Sequence, residues 1–234
     1  MGKPEFYRFN DLTRQRLNVE YQVHTNRTDG EDTIQAILEA AGKKNLSAIA
    51  FTEHVRKSSD WFANFADEVI KERTNLASLE IYIGCEAKAL DEKGGLDASP
   101  AILAQCEIVL GSVHGFPSER LAGRSMNDLR AEECAEIEFD LSLGLLRSAP
   151  IDVLAHPGGM CCRKYGSFPV EHYESLMKES LNRRIAIEIN TSYITDLVAF
   201  LQLCSRINPY VSIGSDVHRL QDVGKCRDRL LNYF

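Results

Sequence analysis

Two spacings of apolar residues alternate along this chain. Tyr21 to Thr25 places successive side chains on opposite faces, as a strand does, so Gln22 and His24 share a face. Ile34, Ile37, Leu38 and Ala41 then recur at i, i+3, i+4 and i+7, the stripe of an amphipathic helix. Asp32 is placed to cap that helix, and Gly42 and Asn45 to close it. Residues 46–51 return to strand character and end in Thr52-Glu53-His54.

The unit repeats. A helix over about 61–74 precedes a strand at 81–86, and a short helix capped by Ser99, with Pro100 in its first turn, precedes a strand at 108–114. A long helix over roughly 127–144 leads to 151–156, and one over about 170–183 leads to 185–190. A helix near 196–204, with Leu197, Leu201 and Cys204 on one face, leads to 211–218, and a last helix starts at about Leu220. Seven apolar, β-branched strands joined by helices predict a parallel sheet in a single α/β domain. An open doubly wound sheet would gather ligand groups near one switch point. Here nearly every strand ends in a polar candidate, and closing the sheet into a TIM-like barrel brings all those ends together. Residues 1–17 read as an N-terminal extension of unknown role, and residues 18–234 as the barrel.

The whole chain narrows the function classes. It has 234 residues, 44% hydrophobic and 26% charged, which suits a folded domain rather than a disordered one. The net charge of −7 counts against nucleic acid, whose phosphates call for a basic face. No apolar run approaches the ~20 residues of a membrane helix. Seven cysteines, an odd number without a C-x-x-C pair, read as reduced and mostly buried thiols of a cytoplasmic protein. A redox role for Cys161-Cys162 is the lesser reading.

The polar residues at the strand ends carry the chemistry. They are Gln22, His24, Asp29, His54, Glu86, His114, His156, Asp216 and His218, and they include five of the six histidines of the chain. Only His172, in a helix, lies outside the set and reads as packing. Imidazoles and carboxylates are the ligand types that hold zinc, manganese or iron, and a carboxylate can bridge two ions.

In order and spacing these residues resemble the PHP family, the polymerase and histidinol phosphatase domain of metal-dependent phosphoesterases. Residues 20–30 are similar to its motif D-x-H-x-H-T-x-x-S-D-G, and Thr52-Glu53-His54 to its T-D/E-H. Gly84-Cys85-Glu86 resembles G-x-E, residues 111–114 G-S-x-H, His156-Pro157 H-P, residues 188–192 E-x-N-T-S, and residues 214–218 G-S-D-x-H. The resemblance covers about residues 18–228. It implies a distorted (β/α)7 barrel holding two or three divalent ions (Zn, Mn or Fe). By carry-over, His24, Glu86 and Asp216 hold one ion, with Gln22 beside them. Glu86 bridges to a second held by His114 and His156, and Asp29, His54 and His218 hold a third. A metal-bound hydroxide would attack phosphorus, with no separate catalytic residue.

Two positions depart from the family pattern. Gln22 stands where the family has histidine, and an amide oxygen is a weaker zinc ligand than an imidazole. Glu20 stands where it has aspartate. For substrate binding, Arg163 and Lys164 resemble the basic segment of the histidinol-phosphatase branch, and Arg56 follows His54 by two residues. The function expected is hydrolysis of a small phosphomonoester, histidinol-phosphate-like. The alternatives are a PHP exonuclease or phosphodiesterase, a phosphotyrosine phosphatase, and a non-catalytic metal-binding module. Neither nucleic acid nor membrane is expected as partner, and the sequence leaves the oligomeric state open.

Overall fold

The computed structural model describes residues 2–74 and 79–234. Its centre is one eight-stranded sheet in the order β1-β8-β7-β6-β5-β4-β3-β2. The strands are β1 (Tyr7–Arg8), β2 (Val19–Val23), β3 (Ala48–Val55), β4 (Glu80–Lys88), β5 (Ile108–Ser112), β6 (Val153–Leu154), β7 (Ala186–Ile189) and β8 (Tyr210–Ile213). All neighbours from β2 to β8 are parallel, and only β1, against β8, is antiparallel. The sheet curls into a distorted barrel. Val23 and Val217 form a bridge, with the His24 N–H donating to Val217 O at 2.8 Å and the Val217 N–H to Gln22 O at 3.0 Å. At the other end of β8 the edge is covered by β1, through the pairs Tyr7↔Val211 and Arg8↔Tyr210.

The seven parallel strands match the seven predicted from the sequence, and their residues are buried almost throughout. Around them lie α1 (Ile34–Lys43), α2 (Phe62–Arg73), α3 (Pro100–Leu103), α4 (Ser118–Leu121), α5 (Ala131–Ser148), α6 (Gly159–Tyr165), α7 (Val170–Arg183), α8 (Leu197–Ile207) and α9 (Lys225–Leu230). The stripe Ile34, Ile37, Leu38 and Ala41 is buried, as its spacing requires. Ser99 caps α3 by accepting from the Ile102 N–H.

Three local expectations change. Thr33, not Asp32, caps α1, because the Asp32 carboxylate accepts from the Leu220 N–H across the barrel mouth. The long helix starts at Ala131 after a separate 3-10 turn at Met126–Asp128. Part of the segment read as an extension joins the sheet as β1, with Phe9 and Leu17 in the core. Beneath β1, a cavity of about 480 Å³ opens among Tyr7, Tyr21, Tyr82 and the first residues of β2, β3 and β4. It lies at the end of the strands away from the histidines.

Candidate metal centre

The strand ends converge as parallel closure demands. His54 and Glu86 are the penultimate and antepenultimate residues of β3 and β4, paired in register. His24 directly follows β2, and His114 and His156 stand two residues beyond β5 and β6. Asp216 and His218 lie in the loop after β8, and Asp29 lies in the turn after β2.

Glu86 is the hub. Its Oε2 lies 3.2 Å from His24 Nε2 and 3.3 Å from His54 Nδ1, and its Oε1 lies 3.0 Å from His114 Nε2 and 2.9 Å from His156 Nε2. Asp216 Oδ1 is 3.2 Å from His24 Nε2. Asp29 lies 3.4 Å from His54 Nε2 through one oxygen and 3.3 Å from His218 Nε2 through the other. Three ligand groups result: His24, Asp29, His54 and His218; His54, Glu86 and His114; and His24, Glu86 and Asp216. Within each, one atom per residue lies within 4.8 Å of all the others, a span a small cation can bridge. Eight of the nine residues singled out as ligands therefore share one cluster; His156 enters it through Glu86 and through His114 Nε2, 3.3 Å away.

Gln22 is completely buried at the same end, where its Oε1 accepts from Asn190 Nδ2 at 3.3 Å. Among the described residues, its Nε2 has no hydrogen-bond partner.

The cluster is electrostatically unfinished. Both His24 ring nitrogens and Glu86 Oε2 are buried and make no hydrogen bond of regular geometry among the described residues, although His24 Nε2 lies 3.2 Å from both the Glu86 and the Asp216 carboxylates. A buried charge left so is costly unless a counter-ion completes it, and N/O donors of this kind fit divalent cations. Burial alone would push the His24 imidazolium down, but Asp216 and Glu86 outweigh it and hold it well above the ordinary value. Burial likewise opposes His156 ionisation, yet Glu86 raises it to about 9. Burial would raise the Glu86 carboxyl, and His114, His156 and His24 instead hold it well below the usual range. His54 falls to about 4 through burial and the charge of His24.

Protons on His24 and His156 thus compete with cations for the same carboxylates. Metal affinity is expected to rise as pH increases toward 9, where His156 gives up its proton. The slope should be about tenfold per pH unit for each proton displaced. Zinc titrations at several pH values, with proton release followed in weak buffer, check this. An affinity independent of pH would contradict it.

Buried acids hold the ligand loops in place. Glu20 accepts from the Ser215 N–H at 2.7 Å, from Ser215 Oγ at 2.5 Å and from the Gly224 N–H at 3.1 Å, tying β2 to the loop of Asp216 and His218. Glu53 accepts from the Thr25 N–H at 2.8 Å and from the Thr28 hydroxyl, fixing the turn that presents Asp29. Glu188 Oε2 accepts from the His156 N–H at 2.8 Å, and burial pushes this carboxyl up to about 7. Carboxylates so placed orient the ligand-bearing loops through backbone hydrogen bonds. His156 (φ 29°) and Asp216 (φ 55°) both adopt left-handed backbone, a strained choice for non-glycine residues that is typical of functional sites.

Of the substrate candidates, Arg163 is linked to the cluster through Tyr193. Its Nη2 donates to Tyr193 OH at 2.8 Å, and Tyr193 OH donates to Asp216 Oδ2 at 2.5 Å. The Lys164 ammonium donates to Met126 O and lies over the Tyr165 ring. Arg56 is exposed beyond β3, its N–H donating to Ser59 Oγ. Tyr193 and Glu188 escaped the sequence reading as site residues, and only the family-like segment at 188–192 pointed near them. His172 packs between Phe139 and Phe168, as its helical position suggested. All seven cysteines are free, and all but Cys106 are buried. No helix among the described residues is long and apolar enough to cross a membrane.

The chain is similar to known proteins over most of its length. A Caldicellulosiruptor bescii protein named "Probable phosphatase" is 26% identical over 225 residues, covering 90% of this chain and 83% of its own. A protein of the same name from Caldicellulosiruptor saccharolyticus is 24% identical over 223 residues, covering 90% and 84%. Among solved structures, Lactococcus lactis histidinol phosphate phosphatase, complexed with zinc, L-histidinol and phosphate, has a similar fold. It matches with a TM-score of 0.70 at 17% identity, over 92% of each chain. The PHP domain model matches residues 20–192, from Glu20 on β2 to the residue before Tyr193, and by that match the chain belongs to the PHP domain family.

Proposed function

We propose that this chain, a metal-dependent hydrolase of the PHP family, is a phosphomonoesterase for a small phosphorylated metabolite. The observation that carries the reading is the convergence of eight imidazoles and carboxylates, with Glu86 at their centre and both His24 ring nitrogens and Glu86 Oε2 left without a regular hydrogen bond among the described residues. His24, Glu86 and Asp216 would hold one ion, Glu86, His114 and His156 a second, and Asp29, His54 and His218 a third. The ions would be zinc, manganese or iron; they would neutralise phosphoryl oxygens and acidify a bound water.

The remaining work falls to the chain itself. Glu20, Glu53 and Glu188 hold the ligand loops so that the charge is preorganised before substrate arrives. Arg163 stands at the rim, where it can meet an anionic substrate. The acidic net charge favours a small substrate over a nucleic acid. A screen of phosphorylated metabolites, with zinc, manganese and iron supplied separately, tests the reading. Hydrolysis of at least one small monoester, dependent on added metal, is expected; inertness across the panel with metal bound would favour a non-catalytic module.

Gln22→His tests the least regular position. Gln22 lies beside the first ion's ligands, with one oxygen lone pair engaged by Asn190. An imidazole there is expected to tighten zinc by about tenfold or more at that ion position, with the others little changed. Titration of both proteins with zinc and manganese reads the effect. Identical affinities and stoichiometries would place residue 22 outside the coordination shell.

A further inference from the structure

A shallow cavity of about 180 Å³ adjoins the cluster, walled by Cys162, Arg163, Ser192, Tyr193 and Thr195. Tyr193 is the partition between the two. Its hydroxyl donates to Asp216 Oδ2 at 2.5 Å on the cluster side, and its ring lies 4.9 Å from the His156 ring. On the cavity side the same hydroxyl accepts from Arg163 Nη2 at 2.8 Å, with the guanidinium 5.3 Å from the ring centroid. A phosphoryl group held among the cluster residues would therefore have its ester oxygen able to point past Tyr193 into this space. The volume suits a leaving group of a few heavy atoms.

The chemistry of the wall is one-sided. It offers a guanidinium and three hydroxyls, and no carboxylate is among the residues that line it. Asp216 accepts from the Tyr193 hydroxyl but does not line the cavity. The helix that carries the arginine is anchored at its first turn, where Glu138 of α5 accepts from the Met160 and Cys161 N–H groups at 3.0 and 2.8 Å, and the exposed Arg163 side chain is oriented by its hydrogen bond to Tyr193. A cation fixed beside hydroxyl groups recognises an anion with directed, charge-assisted hydrogen bonds. An ammonium in the same place would meet the like charge of Arg163 and no carboxylate among the lining residues.

Resting on the phosphomonoesterase reading, we propose that this cavity is the leaving-group subsite. Arg163 and Tyr193 there select phosphomonoesters whose alcohol carries a second anionic group. The reaction is ordinary hydrolysis: water adds to phosphorus, the P–O bond to the alcohol breaks, and the alcohol leaves with a proton. Selection acts on what else that alcohol bears, either a carboxylate or a second phosphate.

A matched series of two-carbon esters decides it, with phosphate release measured on the metal-loaded protein. Phosphoglycolate offers a carboxylate, ethylene glycol bisphosphate a second phosphate, ethyl phosphate no charge and phosphoethanolamine a cation. In the wild type, kcat/KM for the better of the two anionic esters is expected to exceed that for phosphoethanolamine by about tenfold to a hundredfold. The preference between carboxylate and phosphate tells which anion the site takes. Arg163→Gln should bring the anionic and cationic esters within about threefold, while Arg163→Lys, which keeps the charge, retains the order. Tyr193→Phe should lower selectivity in the same direction by releasing the guanidinium.

An equal loss on all four esters in Arg163→Gln would instead assign the arginine to the transferred phosphoryl group. That result overturns this inference and leaves the phosphatase reading intact. So would a wild type that hydrolyses phosphoethanolamine as fast as the anionic esters. Failure to hydrolyse any of the four, or any ester of the wider panel, would remove the phosphatase reading and this inference with it.

Discussion

Glu86→Gln is expected to lower turnover about a thousandfold or more while leaving the fold intact. Among the described residues, Glu86 is the one carboxylate that approaches four imidazoles, those of His24, His54, His114 and His156. An amide keeps its shape but removes the negative charge and turns one oxygen into a donor, so two ligand groups lose their shared anion. Burial gives the substitution little effect on folding, because a neutral amide is cheaper to bury than an unpaired carboxylate. Metal content should fall together with activity, and the circular dichroism spectrum should match wild type. Full activity at matched metal content would remove Glu86 from the centre. His114→Ala and His156→Ala should also abolish turnover, through the second ion.

Gly30→Ala should destabilise the fold by about 3 kcal/mol or more and weaken the ion position of Asp29. A Cβ on Gly30 would lie 2.3 Å from His24 O and 2.6 Å from its carbonyl carbon. Both are backbone atoms, so no side-chain rotation relieves the clash. The strand end that carries His24 and the turn that carries Asp29 would have to separate, breaking the Gly30 N–H hydrogen bond to Thr25 O. Thermal or urea unfolding measures the loss, and metal stoichiometry at subsaturating zinc reads the local effect. A variant as stable as wild type would show that the turn yields cheaply.

The centre was legible in the sequence because parallel closure makes each strand end a known place. His54, Glu86, His114 and His156 needed only the strand they terminate to be identified. Asp29 and His218 sit on loops in the structure, yet they too belong to the polar set at the predicted strand ends, and the resemblance to a known motif adds to that reading. What the sequence hid depends on contacts across long separations. Asp32 looks like a helix cap until Leu220, from the far end of the chain, claims its carboxylate and leaves capping to Thr33.

β1 is two residues long, too short to show any alternation, and exists because β8 offers an edge. Tyr193 carries no signal in the sequence, and its place beside the cluster shows only through the hydrogen bonds of its hydroxyl to Asp216 and Arg163. Lys164 follows Arg163 directly, yet the helix turn between them sends one to Tyr193 and the other to Met126.

The central claim is that the strand-end cluster is a multi-metal centre through which phosphate esters are hydrolysed. Its most direct test is a titration of the chelator-stripped protein with zinc, manganese or iron, following phosphate release from a generic aryl phosphate together with bound metal per chain. Hydrolysis absent in the stripped protein and rising to a plateau as two to three ions bind is the expected result. Hydrolysis that persists without metal, or a fully loaded protein that releases no phosphate, would contradict it.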